Sequence, residues 1–131
     1  MASVLNEFRT ALNSYFTSGT HYFREAPESA TYPYRVSSFN GSFDDEISEV
    51  FALEMDYWTS GKSDSALYAW IDTDSGNGNP SNPTGLNKKK FHCSSGTVIM
   101  ERDSIVSVDD PDKNIRHIRV SYTARVYRKE L

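Results

Sequence analysis

The chain has one cysteine, three histidines, seven glycines and five prolines in 131 residues, and no long apolar run. A single thiol, Cys93, excludes an intramolecular disulfide, so a reducing, intracellular setting is expected. No segment approaches the roughly 20 consecutive apolar residues of a membrane-spanning helix. The opening MASVLNEFRTALNSYF lacks the basic start and the apolar stretch of a secretory signal. A soluble chain with no membrane partner is the expectation. Positive charge is also short, with 14 Lys and Arg against 18 Asp and Glu, a net charge of −4. Sequence-independent binding to nucleic acid rests on basic patches. The densest one here is the short run Lys88-Lys89-Lys90, which reads as a solvated loop or strand edge.

What is abundant is aromatic: 13% of the chain, with eight tyrosines, which suits long strands with half-exposed faces. The length suits one domain over residues 1–131, able to bury a core without metal or disulfide.

Periodicity divides the chain into elements. Val4, Leu5, Phe8, Leu12, Tyr15 and Phe16 recur at helical spacing, with Ser3 as a cap and Ser18-Gly19 as a stop. His21 to Ala26 and Tyr34 to Phe39 read as strands. Between them Pro27 and Pro33 fix φ and push Ala26 and Tyr32 towards extended backbone. Asn40-Gly41-Ser42 marks a turn. Residues 46–58 alternate, with Phe51, Leu53, Met55 and Tyr57 on one face of a long strand. Ala66, Leu67, Trp70 and Ile71 form the stripe of a second helix over Ser63 to Asp72, capped by Ser63 or Asp64. Asp74 to Gly85 holds only loop-forming residues. Lys89 to Ser94, Thr97 to Val108 with a break near Asp103, and Ile115 to Tyr127 read as strands, the last two joined by a turn at Asp109 to Asp112. The fold class is α+β: a mainly antiparallel sheet with two helices packed against it.

Four motifs suggest chemistry. TSGKSD at 59–64 ends like a phosphate-binding loop, but the position for its first glycine is Asp56, inside a strand. DTDSGNGN at 72–79 imitates a calcium loop, yet the glycine and glutamate positions hold Asn77 and Pro83. His92 and Cys93 are strand neighbours and point to opposite faces, and a dyad of Cys93 with His117 would need a third, orienting group. Asp44, Asp45, Glu46, Glu49, Glu54 and Asp56 gather around one strand. Paired carboxylates can do acid/base work, but a solvated strand end and face is the plainer reading. No cofactor and no metal follow from any of these. A small ligand-binding or hydrolytic domain built on His92, Cys93, His117 and these carboxylates is the rival. A protein-binding module using an exposed strand edge is a third option.

The order of several stretches is more specific than any one of them. Ala11-Leu12 and Tyr15-Phe16 close the first helix. His21-Tyr22-Phe23, Ala26-Pro27 and Tyr32-Pro33-Tyr34 follow. An acidic turn leads into Phe51-Ala52-Leu53-Glu54-Met55-Asp56-Tyr57-Trp58, then the second helix over Ser65 to Ile71, and a last strand with Arg119-Val120-Ser121-Tyr122. In this order the chain resembles the tail-completion family of tailed bacteriophages, the tail-terminator or tail-to-head joining proteins. The resemblance implies a structural virion protein and not an enzyme. Copies would form a ring, six-fold, at the head-proximal end of the tail tube, ending tube growth and meeting the head connector. A head-completion protein is the nearest alternative. On this reading the partners are other copies, the major tail tube protein and head–tail connector proteins. Phage DNA passes through the lumen without specific binding. Asp44, Asp45, Glu46 and Glu49 are candidates for an acidic lumen lining. The stretch with Asp74, Asn77, Asn79, Asn82, Asn87, Lys88, Lys89 and Lys90 is the candidate assembly loop.

Overall fold

The structure, a computed structural model, describes residues 4–16, 20–44, 49–79, 81 and 84–128, with backbone alone over 41–44. The expected Ser3 cap and Ser18-Gly19 stop lie outside the described residues. In chain order the elements are α1 (Val4–Tyr15), β1 (Thr20–Phe23), β2 (Tyr34–Asp44), β3 (Glu49–Ser60), α2 (Ser65–Ser75), β4 (Lys90–Cys93), β5 (Gly96–Val108) and β6 (Ile115–Arg128). The strands form one sheet in the order β1-β2-β3-β6-β5-β4. All neighbours are antiparallel except β1 and β2, which run parallel. This is the α+β architecture expected.

Alternation sets the two faces. Leu53, Met55 and Tyr57 of β3 pair with Tyr122, Val120 and Ile118 of β6, and all six are buried. Phe91 and Val98 extend this inner face across β4 and β5. Both helices lie on it. α1 contributes Val4, Phe8 and Leu12, one residue per turn, and α2 contributes Leu67 and Ile71. Each such side chain stabilises by about 1.5–3 kcal/mol on burial. The same face carries the aromatic contacts of Phe8 with Phe91, at 5.2 Å between centroids, and with Phe39, at 5.9 Å.

Three boundaries differ most from the sequence reading, the first being β1, which ends at Phe23 and not at Ala26. Asn40-Gly41-Ser42 is not a turn: β2 runs through it to Asp44. Phe39 pairs with Leu53 and Ser42 with Phe51, so β2 spends one residue more than β3 here. A bulge takes up that residue, a frequent use of glycine in a strand. The second helix begins at Ser65 and ends at Ser75, three residues beyond Asp72. Its last turn is polar in sequence but finds buried partners, described below. The expected break in β5 is present as a register shift between Arg102 and Ser104.

Candidate functional site

The stretch expected to be a loose assembly loop is anchored at both ends. Asp74 and Ser75 belong to α2 and are buried. Leu86, fully buried, plugs the core below them. Its amide donates to the Asp74 carbonyl at 2.7 Å, and the Asn87 amide donates to the Ser75 carbonyl at 3.0 Å. Gly85 passes so close to α2 that a Cβ there would sit 2.4 Å from the Ser75 carbonyl carbon. Between these anchors the Asn77 carboxamide oxygen accepts from the Asn79 and Thr84 amides, and the Asn77 amide donates to the Thr84 hydroxyl at 2.8 Å. Asn82 lies outside the described residues. Asn87 accepts from the Arg102 amide at 2.9 Å.

The three lysines do not form one patch. Lys88 pairs with Glu101 at 2.6 Å. Lys89 lies over the rings of Tyr15 and Phe91, at 5.2 and 5.4 Å. Lys90 opens the edge strand β4 and is exposed.

The acidic candidates flank the β2–β3 connection. Asp44 ends β2 opposite Glu49 at the start of β3. Glu49 accepts from Arg128 at 2.6 Å, which offsets its charge. Asp45 and Glu46 lie outside the described residues. Further along β3 the carboxylates are engaged on the outer face. Asp56 accepts from His117 at 2.6 Å and from Arg119 at 2.9 Å, and Glu54 pairs with Arg119 and Asn40. Burial alone would raise the Asp56 pKa. The hydrogen bonds from His117 and Arg119 outweigh it and hold the group below the ordinary carboxylate range.

Cys93 and His117 are not brought together. Cys93 is opposite Gly96 and His117 is opposite Val108, at the two ends of β5. At ~3.3 Å per residue that is roughly 35–40 Å. Burial, with the Glu7 charge second, pushes the Cys93 thiol up, away from a reactive thiolate. His117 instead stacks on Trp58, at 3.7 Å between centroids. Among the described residues no group of three His, Cys, Asp or Glu side chains is placed to hold a metal.

The sequence reading missed a buried polar cluster between the sheet and α2. Arg35 has 0% exposure and is clamped between the rings of Phe16, at 3.8 Å, and Trp70, at 4.5 Å. Its Nε lies 3.4 Å from Asp74 Oδ2, which also accepts from the Tyr57 hydroxyl at 2.6 Å. Ser75 and Tyr122 share a hydrogen bond of 2.6 Å beside it. Burial pushes Arg35 down and Asp74 up, so desolvation outweighs their attraction in both. Burial also pushes Tyr122 up to about 12. The enclosed groups tie the end of α2 to β2, β3 and β6, and they offer no open face for a substrate. The one signal in the sequence was Arg35 itself, which shares its strand face with Ser37 and Phe39.

The open surface is of another kind. On the outer face Tyr32, Tyr34, Trp58 and His117 stack in series across β2, β3 and β6. Beside β1 a cleft of about 540 Å³ is lined by Asn6, Arg9, Thr10 and Asn13 of α1 and by β1 itself. At the other side of the sheet β4 covers only Gly96–Ile99 of β5. The β5 segment Asp103–Ser107 is exposed throughout, with Ile105 at 36% and Val106 at 52%.

The chain matches no protein-family model and no curated protein. Its fold is similar to that of a chain in the virion of a native gene transfer agent (GTA) particle. The TM-score is 0.52 at 14% identity, over 95% of this chain and 92% of that one. The likeness is one of fold.

Proposed function

We propose that this chain is a structural protein of a tailed bacteriophage, prophage or phage-like virion, with no catalytic role. Copies form a closed, six-fold ring at the head-proximal end of the tail tube. The ring ends tube polymerisation and presents a surface to the head connector. It is made in the host cytoplasm and ends in the virion. The observation that carries this reading is the fold likeness over nearly the full chain to a component of a gene transfer agent virion. The ordered sequence stretches support the same reading from a separate direction.

The acidic β2–β3 connection, with Asp44, Asp45, Glu46 and Glu49, would face the lumen and repel the phosphates of passing DNA. Because Glu49 is held by Arg128, the first three would supply most of that field. Reversing their charge should slow genome passage, and unchanged passage would reject this role. The tip of the loop between Gly76 and Gly85 would dock on a neighbour or on the tube. Since Asp74, Leu86 and Asn87 are structural, its test is deletion of residues 77–84 alone. Tails completed normally without those residues would remove the loop from assembly.

The decisive experiment is negative-stain microscopy of the purified protein mixed with tail tubes encoded beside its gene. Rings capping one tube end, with tube length then fixed, are expected. Bare tubes that keep growing would reject the terminator reading. Rings seated on head connectors instead would make it a head-completion protein.

A further inference from the structure

The sheet has two unlike open edges, and they fit each other. We infer that copies join sheet edge to sheet edge, with β1 of one copy seated antiparallel against the free half of β5 of the next. In this seating Tyr22 lies opposite Val106 and Phe23 opposite Ile105. The inference rests on the ring reading above and specifies its subunit contact.

Direction comes first. β1 runs parallel to β2, β3 runs against β2, β6 against β3, and β5 against β6. So β1 and β5 point in opposite senses within one sheet. A neighbour related by rotation about a ring axis therefore presents β5 antiparallel to β1. The contact is heterologous and repeats until the ring closes.

The pleat then restricts the register. Tyr22 shares the outer face with Tyr34, at 5.9 Å between rings, and Val106 is outer because it pairs with Arg119. Phe23 is inner and packs on Phe39 at 5.6 Å, while Ile105 is inner through its pairing with Val120. A slip of one residue would put outer side chains against inner ones. The chosen seating also sets Thr20 against Val108 and His21 against Ser107. It covers the two most exposed aliphatic side chains of the free edge with two aromatic ones. The polar cleft between α1 and β1 gives the incoming strand room. Four paired residues are far below a standard interface, so each contact is weak alone and the ring forms when a tube end gathers the copies.

The test is a disulfide trap in the full-length chain with Cys93→Ser. Tyr22→Cys together with Val106→Cys places both thiols on the outer face of the joined sheet. Within one copy these positions are four strands apart, roughly 19 Å at ~4.8 Å per strand, too far for an internal bridge. Mild oxidation at high protein concentration should give a ladder on non-reducing gels that ends in a closed species. Each single-cysteine variant should stop at dimers. Tyr22→Cys with Ile105→Cys, on opposite faces, should give no ladder. If replacing Tyr22 unfolds the chain, Thr20→Cys with Val108→Cys tests the same seating. No ladder from a folded variant, or equal ladders from matched and mismatched pairs, would overturn the inference. A ladder without tube capping would keep the edge contact and reject the tail role. Tube capping without a ladder would do the reverse.

Discussion

Replacing Arg35 by Met should destabilise the fold by about 3 kcal/mol at neutral pH, and by much less in acid. Methionine keeps the length of the stem between Phe16 and Trp70 but removes the cation. Two losses follow. The guanidinium no longer sits over two rings, a contact worth up to ~2 kcal/mol when desolvated. Asp74 keeps only the Tyr57 hydroxyl against its buried charge, and breaking a buried pair on one side costs about 3–5 kcal/mol. The Arg35 desolvation cost, which disappears, offsets part of this.

The pH dependence gives the sharper check. Burial already raises the Asp74 pKa above its ordinary value of 3.8, and loss of Arg35 raises it further. A carboxyl with a raised native pKa binds its proton more tightly in the folded state than in the unfolded one. Its contribution to stability is therefore full below the unfolded pKa and is lost as pH rises through the folded pKa. The deficit of Arg35→Met should thus be small near pH 4 and full at pH 7. Urea titration reads it directly, because ~3 kcal/mol moves the midpoint by roughly 1.5–2 M at a slope of about 1.5–2 kcal/mol/M. Arg35→Met with Asp74→Asn removes both charges and should recover most of the loss. A single variant costing under ~1 kcal/mol, a loss that does not vary with pH, or a double variant no better than the single would refute the argument.

Further outcomes follow from other groups. Asp56→Asn should cost about 1–2 kcal/mol at pH 7. Because the Asp56 pKa is depressed, that stabilisation is present above the unfolded value of 3.8 and fades as pH falls through the lower folded one, which paired urea curves would show. His21, pushed down to about 4 by burial and then by the Arg35 charge, resists protonation in the folded state. Wild type should therefore lose stability as pH falls from 6.5 towards 4, and His21→Gln should flatten that slope in thermal melts. Leu86→Ala should cost about 2–4 kcal/mol and expose the segment between Gly76 and Gly85 to limited proteolysis. Cys93, with its raised pKa, should react with a thiol reagent more slowly than free cysteine and speed up on unfolding. A fast native reaction would revive the rival hydrolytic reading.

Period carried most of what could be read in advance. The α1 stripe, the inward faces of β3 and β6 and the irregularity near Asp103 all follow from spacing of 3.6 or 2. Partnership between distant residues has no such period. Nothing local distinguishes Asp74 as the acceptor for Arg35 and Tyr57, so a helix turn made of Thr73, Asp74 and Ser75 reads as loop. Asn40-Gly41 is the commonest local turn signal, yet a bulge against β3 uses the same backbone freedom. Strand order is also silent in the sequence. The separation of Cys93 from His117 and the openness of one edge of β5 appear only once β6 is known to lie between β3 and β5.

That edge is informative because its neighbours are treated differently. Proteins blunt sheet edges with short strands, charge and bulges. β4 follows the rule: it has four residues, opens with the exposed Lys90 and exposes His92. Beyond the bulge at Asp103, β5 does not. Its sequence Ser104-Ile105-Val106-Ser107-Val108 has no charge and no proline, and Ile105 and Val106 point to opposite faces with both exposed. An edge left this way invites a strand, and uncontrolled pairing is what the charged edges of other proteins prevent. Here control can come from the partner instead of from the edge. β1 offers only four residues, and its direction and pleat admit few registers. A short, directional contact suits subunits that stay separate until a tube end holds several of them side by side.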